Sequence, residues 1–191
     1  MKIYLGFFAF FISPLLFIQI LTVSSDAAIS VGSASSITLD GLEIAPADTY
    51  VISGDNSVLR SAKAITSNGN SSVSRVYTSS ALLSGFTGTL TFSYLDGEEL
   101  NGLDESELVL ELQADDGSWT SYPATLDTTA NTVSYSFNDA VSFKAVTASA
   151  AGATLTIEDI NPSDSSIFIY PNPTADRIYI QADNIEKSRT F

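Results

Sequence analysis

The sequence predicts an all-β protein: a single antiparallel β-sandwich, Ig-like or jelly-roll-like, with a short incomplete β segment at the C-terminus. Two observations support this. Residues 28–159 contain short alternating runs of apolar and polar residues separated by turn residues, and none of these runs has a helical period. The length of this stretch suits one hydrophobic core and is too short for two. Strands with one apolar face each must cover those faces against each other, which favours two packed layers.

Residues 1–27 are predicted to be a secretory signal peptide. Lys2 supplies the basic start, residues 3–23 carry no charge, and the small residues Ala27 and Ala28 suit cleavage. An uncleaved membrane anchor is the alternative, but Pro14 interrupts the apolar stretch. No stable membrane insertion is expected after cleavage.

The clearest strand alternation lies in residues 87–94, where Leu90, Phe92 and Tyr94 share one face. Polar residues occupy the other face, as expected of a solvated sheet surface. The remaining predicted strands are residues 37–44, 49–53, 58–66, 73–78, 107–113, 119–122, 133–137, 143–147 and 153–157.

Two dipeptides predict tight hairpin turns. Asn68-Gly69 separates two predicted strands, and Asp116-Gly117 separates residues 107–113 from the strand at Trp119. Both dipeptides tolerate the positive φ angles of such turns. In residues 107–113 three leucines share one face, and Glu107, Val109 and Glu111 lie on the other face, where Glu111 is expected to be solvated.

Composition excludes several kinds of chemistry. The chain has 191 residues, of which 8 are basic and 22 acidic, giving a formal charge of −14, and it contains no His and no Cys. Catalytic Ser-His-Asp and Cys-His pairs, thiolate or imidazole metal sites and disulfides are therefore absent. A strongly acidic protein repels phosphate backbones, so nucleic acid is not an expected partner.

The segment 96–116 is the best candidate for a ligand site, because it holds nine acidic residues and no basic one. Clustered carboxylates are what Ca²⁺ binds, so Ca²⁺ is the one candidate cofactor. The spacing is not that of an EF-hand, since Asn101 stands where Gly is required. The alternative is a solvated acidic loop that favours solubility. The candidate metal ligands are Asp96, Glu98, Glu99, Asp104 and Glu105.

Enzymatic activity is not expected. Glycoside hydrolysis needs only a pair of carboxylates, but nothing in the sequence sets two of them at a defined separation. Trp119 and Tyr122 suggest carbohydrate stacking, yet an odd spacing on a strand directs them to opposite faces. A lone Trp is more typical of a sandwich core.

A linker by composition, residues 160–166, precedes a second β segment that contains two prolines. Pro171 and Pro173 fix φ and remove two backbone donors, and Asn172 readily forms a turn, so two short strands joined by a rigid corner are expected.

The residues Tyr170, Pro171, Asn172 and Pro173, followed by Asp176 and an alternating Ile178-Tyr179-Ile180, resemble a known sorting signal. They are similar to the opening of the type A C-terminal sorting domain that directs Bacteroidetes proteins through the type IX secretion system. The resemblance covers residues 167–191 and matches only the first part of that domain, which is truncated here. It implies the secretion machinery as a partner and a secreted or cell-surface location reached through the periplasm.

Two weaker resemblances accompany it. Residues 85–119 are similar to unnamed β-sandwich modules that precede such sorting domains and act as spacer or adhesive units. Asp127-Thr128-Thr129 resembles the O-glycosylation motif of exported Bacteroidetes proteins, with Thr128 as the acceptor.

The sequence therefore predicts an exported, non-catalytic surface or secreted protein with a partial sorting signal. The alternative is a carbohydrate-binding or adhesive module, Ca²⁺-dependent, whose partner is a polysaccharide or another surface protein. A small glycoside-acting enzyme is a third, less favoured reading.

Overall fold

The computed structural model describes residues 17–67, 69–152, 155, 167–170 and 179–182. The chain divides into two compact units, residues 1–157 and 158–191, which are described separately. Every regular element in the described residues is a β-strand except one short 3-10 helix, and the main antiparallel sheet is sandwich-like. The predicted all-β sandwich class is confirmed.

Within its described residues, the first unit contains thirteen strands and the 3-10 helix Glu105–Glu107. The strands are β1 (Phe17–Val23), β2 (Ala28–Val31), β3 (Ile37–Leu39), β4 (Leu42–Pro46), β5 (Tyr50–Ser53), β6 (Asn56–Ser61), β7 (Thr66–Ser67), β8 (Asn70–Ser71), β9 (Val76–Ser93), β10 (Leu108–Gln113), β11 (Trp119–Tyr122), β12 (Thr125–Asp127) and β13 (Thr132–Ala150).

Nine of these strands form one antiparallel sheet, in the order β1-β6-β9-β13-β10-β11. Strand β4 also pairs with the second half of β9, β3 pairs with β4, and β12 pairs with the first half of β13. Two further pairs, β2-β5 and β7-β8, complete the unit.

Strands β9 and β13 belong to both layers. The first half of β9 pairs with β6 and with the second half of β13, and the second half of β9 pairs with β4 and with the first half of β13. Tyr77 and Phe92 lie on the same strand, β9, yet their ring centroids are 5.7 Å apart. Fifteen residues of straight strand would separate them by about 50 Å, so β9 must fold back on itself. Register shifts in the pairing of β9 with β13 between Phe137 and Ala145 mark the bend.

The bend departs from the sequence prediction, which placed breaks in the chain between residues 78 and 87 and between 137 and 143. Both stretches instead continue as strand through β-bulges. Gly88 lies beside the bend, with φ of 127°, and a Cβ there would lie 2.3 Å from the backbone oxygen of Ala45. A glycine at this position allows β4 to approach β9 closely.

Two of the predicted strands are divided in the structure. Residues 37–44 form the β3-β4 hairpin around Asp40 and Gly41, whose φ angles are 47° and 99°. Such positive angles are typical of a two-residue hairpin turn. Residues 58–66 end as a strand at Ser61, and the chain pairs again only in β7. Most of the predicted strand 153–157 lies outside the described residues.

The hydrophobic core fills the space between the two layers. Phe86 is fully buried at its centre and makes edge-on ring contacts with Tyr50, Phe137 and Phe143 at centroid distances of 5.3 to 6.2 Å. The alternation predicted in residues 87–94 is confirmed, since its three apolar members are buried. A second, smaller cluster joins Trp119, Ala145, Leu155 and Ile65.

Strand β1 falls inside the predicted signal peptide. It pairs antiparallel with β6, from Phe17 opposite Ser61 to Val23 opposite Asn56, with one irregularity after Gln19. Val23 is only 3% exposed and belongs to the main core. The signal peptide remains a prediction, and the structure adds that this segment can complete the sheet.

The eight residues of the second unit that the structure describes form an antiparallel pair of strands, β14 (Ile167–Tyr170) and β15 (Tyr179–Ala182). Ile167 lies opposite Ala182, and Tyr170 lies opposite Tyr179. The two strands flank residues 171–178, which lie outside the described residues.

Candidate functional site

The acidic segment, residues 96–116, follows β9 and contains the 3-10 helix and β10. Its centre is Glu99, which is 7% exposed although the sequence places it among solvated acids. Glu99 turns inward because its side chain meets a buried guanidinium. Arg75 Nε donates to Glu99 Oε2 at 2.7 Å, and Arg75 Nη2 donates to Glu99 Oε1 at 2.9 Å. This bidentate geometry is the strongest form of an arginine–carboxylate pair.

A second arginine joins the same carboxylate. Arg60 Nη1 donates to Glu99 Oε1 at 3.4 Å, and Arg60 Nε lies 2.7 Å from Asp40 Oδ2 as an ion pair without hydrogen-bond geometry. The backbone N–H of Leu95 also donates to Glu99 Oε2 at 2.9 Å. The buried carboxylate is therefore compensated by two cations and a backbone donor.

The arginine is held from its other side by the β3-β4 turn. Arg75 Nη1 donates to the backbone oxygen of Asp40 at 2.9 Å, and Tyr77 Oη donates to the same oxygen at 2.6 Å. Gly41 leaves room for this contact, because a Cβ there would lie 2.5 Å from Arg75 Nη1. The cluster ties the acidic segment to the hairpin turn and to β9.

Burial and pairing act on the pKa values in this cluster. Burial lowers the pKa of Arg75, but the hydrogen bonds with Glu99 and Tyr77 more than offset that effect, so its pKa is raised. Burial raises the pKa of Tyr77, and the neighbouring Arg75 opposes part of that rise. Arg75 therefore stays charged and Tyr77 stays neutral at neutral pH. A charged Arg75 is what its ion pair with Glu99 requires.

Two other predicted metal ligands have structural partners. Asp104 caps the 3-10 helix, since its Oδ1 accepts from the Oγ and backbone N–H of Ser106, and these bonds lower its pKa. Glu105 accepts a 2.5 Å hydrogen bond from Tyr94 Oη. The pKa of Tyr94 is raised, first by burial and then by this bond and the charge of Glu105.

The remaining two predicted ligands, Asp96 and Glu98, are exposed in the turn before Glu99. Within the described residues, no group of three or more acidic side chains is placed so that it could hold a metal ion. The structure therefore does not bring the five candidate Ca²⁺ ligands together. It uses three of them to hold the loop in place.

Glu111 departs from the sequence prediction in another way. It was expected to face solvent, but it is fully buried on the β10 face opposite the leucines. Its Oε1 accepts from Ser121 Oγ at 2.6 Å and from Ser149 Oγ at 2.7 Å, while Oε2 has no hydrogen-bond partner among the described residues. Burial raises the pKa of Glu111, although the two serine hydroxyls oppose that rise.

The two aromatic residues proposed for carbohydrate stacking do not form a platform. Trp119 is 6% exposed and packs in the smaller cluster with Ala145. Tyr122 packs on the main core, where its ring lies 4.9 Å from Phe137 and 5.1 Å from Tyr135. The expectation that the two side chains point to opposite faces is confirmed, and Trp119 anchors the smaller cluster and not the main core.

Thr128, the predicted glycosylation site, is exposed in the turn after β12. The turn is held by Asp127 Oδ1, which accepts from the backbone N–H groups of Thr129 and Ala130 at 3.0 Å each. Sequence motif and exposure are compatible with modification, which stays a prediction.

Of the predicted sorting motif, Tyr170 ends β14. The other members, Pro171, Asn172, Pro173 and Asp176, lie outside the described residues.

Sequence reasoning did not identify Arg75 as a partner of the acidic segment. Arg75 precedes Glu99 by 24 residues and follows a short polar hairpin, so no local pattern relates the two. The available signal was the small number of basic residues in the chain. An arginine directly before an apolar strand is expected to need a buried acidic partner.

None of the helices in the described part of the chain is long and apolar enough to cross a membrane. The chain matches no family model, no curated protein and no solved structure.

Proposed function

We propose that this chain is an exported, non-catalytic β-sandwich module of the cell surface or the medium, carrying the opening part of a type IX sorting signal. The observation that carries the proposal is the Tyr-Pro-Asn-Pro motif at residues 170–173. The motif lies in a unit separate from the sandwich. The pairing of β14 with β15 on either side of it supports this assignment.

Composition and the contacts of the buried carboxylates also support a non-catalytic role. The chain has no His or Cys. Among the described residues, the two most buried carboxylates are engaged with arginines or serines inside the sandwich. Function has to be argued from a site, and both carboxylates are enclosed by side chains of the fold itself.

The proposal is tested by expressing the full chain in a Bacteroidetes host and measuring its intact mass in the cells, the periplasm and the medium. Loss of residues 1–27 or 1–28, further trimming between residues 163 and 170, and appearance outside the cell are the expected results. A form that keeps Phe191 and stays in the periplasm would contradict the sorting role.

The motif itself is tested by the double substitution Pro171→Ala and Asn172→Ala. We expect this variant to lose its signal peptide but to accumulate in the periplasm. The matched control is Pro123→Ala, which removes a proline between β11 and β12 and should leave export unchanged. Equal export of both variants would show that the motif has no sorting role.

A further inference from the structure

The predicted cleavage site lies between the first two strands of the sandwich, β1 and β2. Removal of residues 1–27 deletes β1 but leaves β2, which begins at Ala28 and pairs with β5. In the full chain β6 lies between β1 and β9. After cleavage β6 therefore becomes an open edge of the main sheet, with backbone N–H and C=O groups that need new partners.

The other edges of this sheet are short. Strands β3 and β12 have three residues each, and β11 has four and is followed by Pro123. Short strands and proline are the usual ways to prevent edge pairing. By contrast, β6 has six residues and no proline, and its one charged residue, Arg60, is tied to Asp40 and Glu99. The cleaved protein thus has one long, unprotected edge.

A second copy of the chain fits this edge by charge. When two β6 strands pair antiparallel about Leu59, Ser57 of one copy faces Ser61 of the other. Asp55 and Lys63 lie in the bends outside the strand, Asp55 one residue before it with φ of 51° and Lys63 two residues after it, and both are exposed. Antiparallel pairing therefore places Asp55 of one copy near Lys63 of the other at both ends. Two-fold pairing of this kind makes one continuous sheet with a self-complementary interface.

We infer that cleavage of residues 1–27 opens the β6 edge, and that the mature protein forms a dimer by pairing β6 with β6 of a second copy. The inference rests on the proposed export of the chain, because the edge opens only when β1 is removed. In the uncleaved chain β1 pairs with this edge of β6.

The test uses the host-processed protein, with intact mass measured first and its association measured by analytical ultracentrifugation in 0.15 M salt, which screens the repulsion between acidic copies. We expect a dimer. Lys63→Glu places two acids opposite each other at both ends and should weaken association about tenfold. The added substitution Asp55→Lys reverses both charges and should restore it.

The matched control is Lys144→Glu, the same change on β13, a strand that does not pair with β6, which should leave association unchanged. A cleaved protein that stays monomeric, or a dimer that Lys63→Glu does not weaken, would overturn the inference while leaving export intact. Retention of residues 1–27 in the exported protein would overturn both, and the mass distinguishes the two failures.

A second measurement uses the β1 sequence as a competitor. A synthetic peptide spanning residues 17–25, with a basic tail for solubility, should occupy the edge and dissociate the dimer. The same peptide with Leu21→Pro lacks a backbone donor and should compete poorly. Equal competition by both peptides would contradict pairing at this edge.

Discussion

Glu99 and Glu111 are both buried carboxylates, but their surroundings differ in one decisive respect. Glu99 faces two arginines, and its bond to Arg75 is bidentate. Glu111 faces two serine hydroxyls, and no cation is among its partners in the described residues. The arginines stabilise the charged form of Glu99, whereas the serines give Glu111 hydrogen bonds but no counter-charge. The comparison teaches that burial alone does not say whether an acid supports the fold.

The largest effect is expected for Glu99→Gln, which would leave the buried guanidinium of Arg75 without its counter-charge. Breaking such a pair from one side costs about 3–5 kcal/mol of unfolding free energy. Urea denaturation would measure the loss, with the exposed neighbour change Glu98→Gln as the control. A loss for Glu99→Gln no larger than that of the control would contradict the structural role of the ion pair.

Gly41→Ala tests the same site from the turn. Gly41 has φ of 99°, and a Cβ there would lie 2.5 Å from Arg75 Nη1 and 3.0 Å from Tyr77 Oη. Backbone strain and displacement of the arginine should together cost about 2 kcal/mol. Gly32→Ala is the matched control, because a Cβ there meets nothing within 4 Å. Equal stability of the two variants would show that the turn does not constrain Arg75.

Glu111→Gln tests the second site, and it should raise the free energy of unfolding, whereas Glu99→Gln lowers it. Because burial raises the pKa of Glu111 in the folded state, folding favours its protonated form. Its contribution to stability is complete at low pH and is lost as pH rises through the folded-state pKa. Glu111→Gln should therefore be more stable than the parent at pH 8, by about 1 kcal/mol.

The measurement for Glu111→Gln is denaturation at pH 4 and pH 8, where the parent should lose more stability between the two values than the variant. Glu107→Gln, a change at an exposed position four residues earlier, serves as the control. An identical pH dependence in the parent and Glu111→Gln would mean that Glu111 ionises as it does in the unfolded chain.

The smallest effect is expected for the exposed ion pair of Lys144 and Asp115, whose charged atoms are 3.1 Å apart. Lys144→Ala should cost only about 0.3 kcal/mol, because solvent screens the pair. The difference from the parent should vanish in 1 M salt. A cost comparable to that of Glu99→Gln would remove the distinction between buried and surface pairs.

Alternation predicted much of the fold correctly, because a half-buried strand must place every second residue in the core. Leu90 and Phe92 are buried as expected, and both predicted Gly turns join paired strands. Asp40-Gly41 is a dipeptide of the same kind and was available as a signal, but the apolar residues on either side of it read as one continuous strand. Here turn chemistry should have outweighed hydrophobicity.

The candidate site could not be predicted in the same way. Acidic composition identified the segment around Glu99, but its role depends on Arg60 and Arg75, which lie 39 and 24 residues away along the chain. Glu111 followed the expected alternation and was still buried, since Ile65 and Leu155 pack on that side of the sheet. Both outcomes are decided by tertiary contacts that local sequence does not encode.

The fold-back of β9, seen in the contact between Tyr77 and Phe92, has a consequence for how the molecule comes apart. Strands β9 and β13 run through both layers. Neither layer can therefore unfold without disrupting strands that the other layer also uses. We therefore expect the sandwich to unfold in a single all-or-none transition. The slowest-exchanging amides in both halves of β9 should then exchange through the same global unfolding event. The bend thus makes two layers into one cooperative unit.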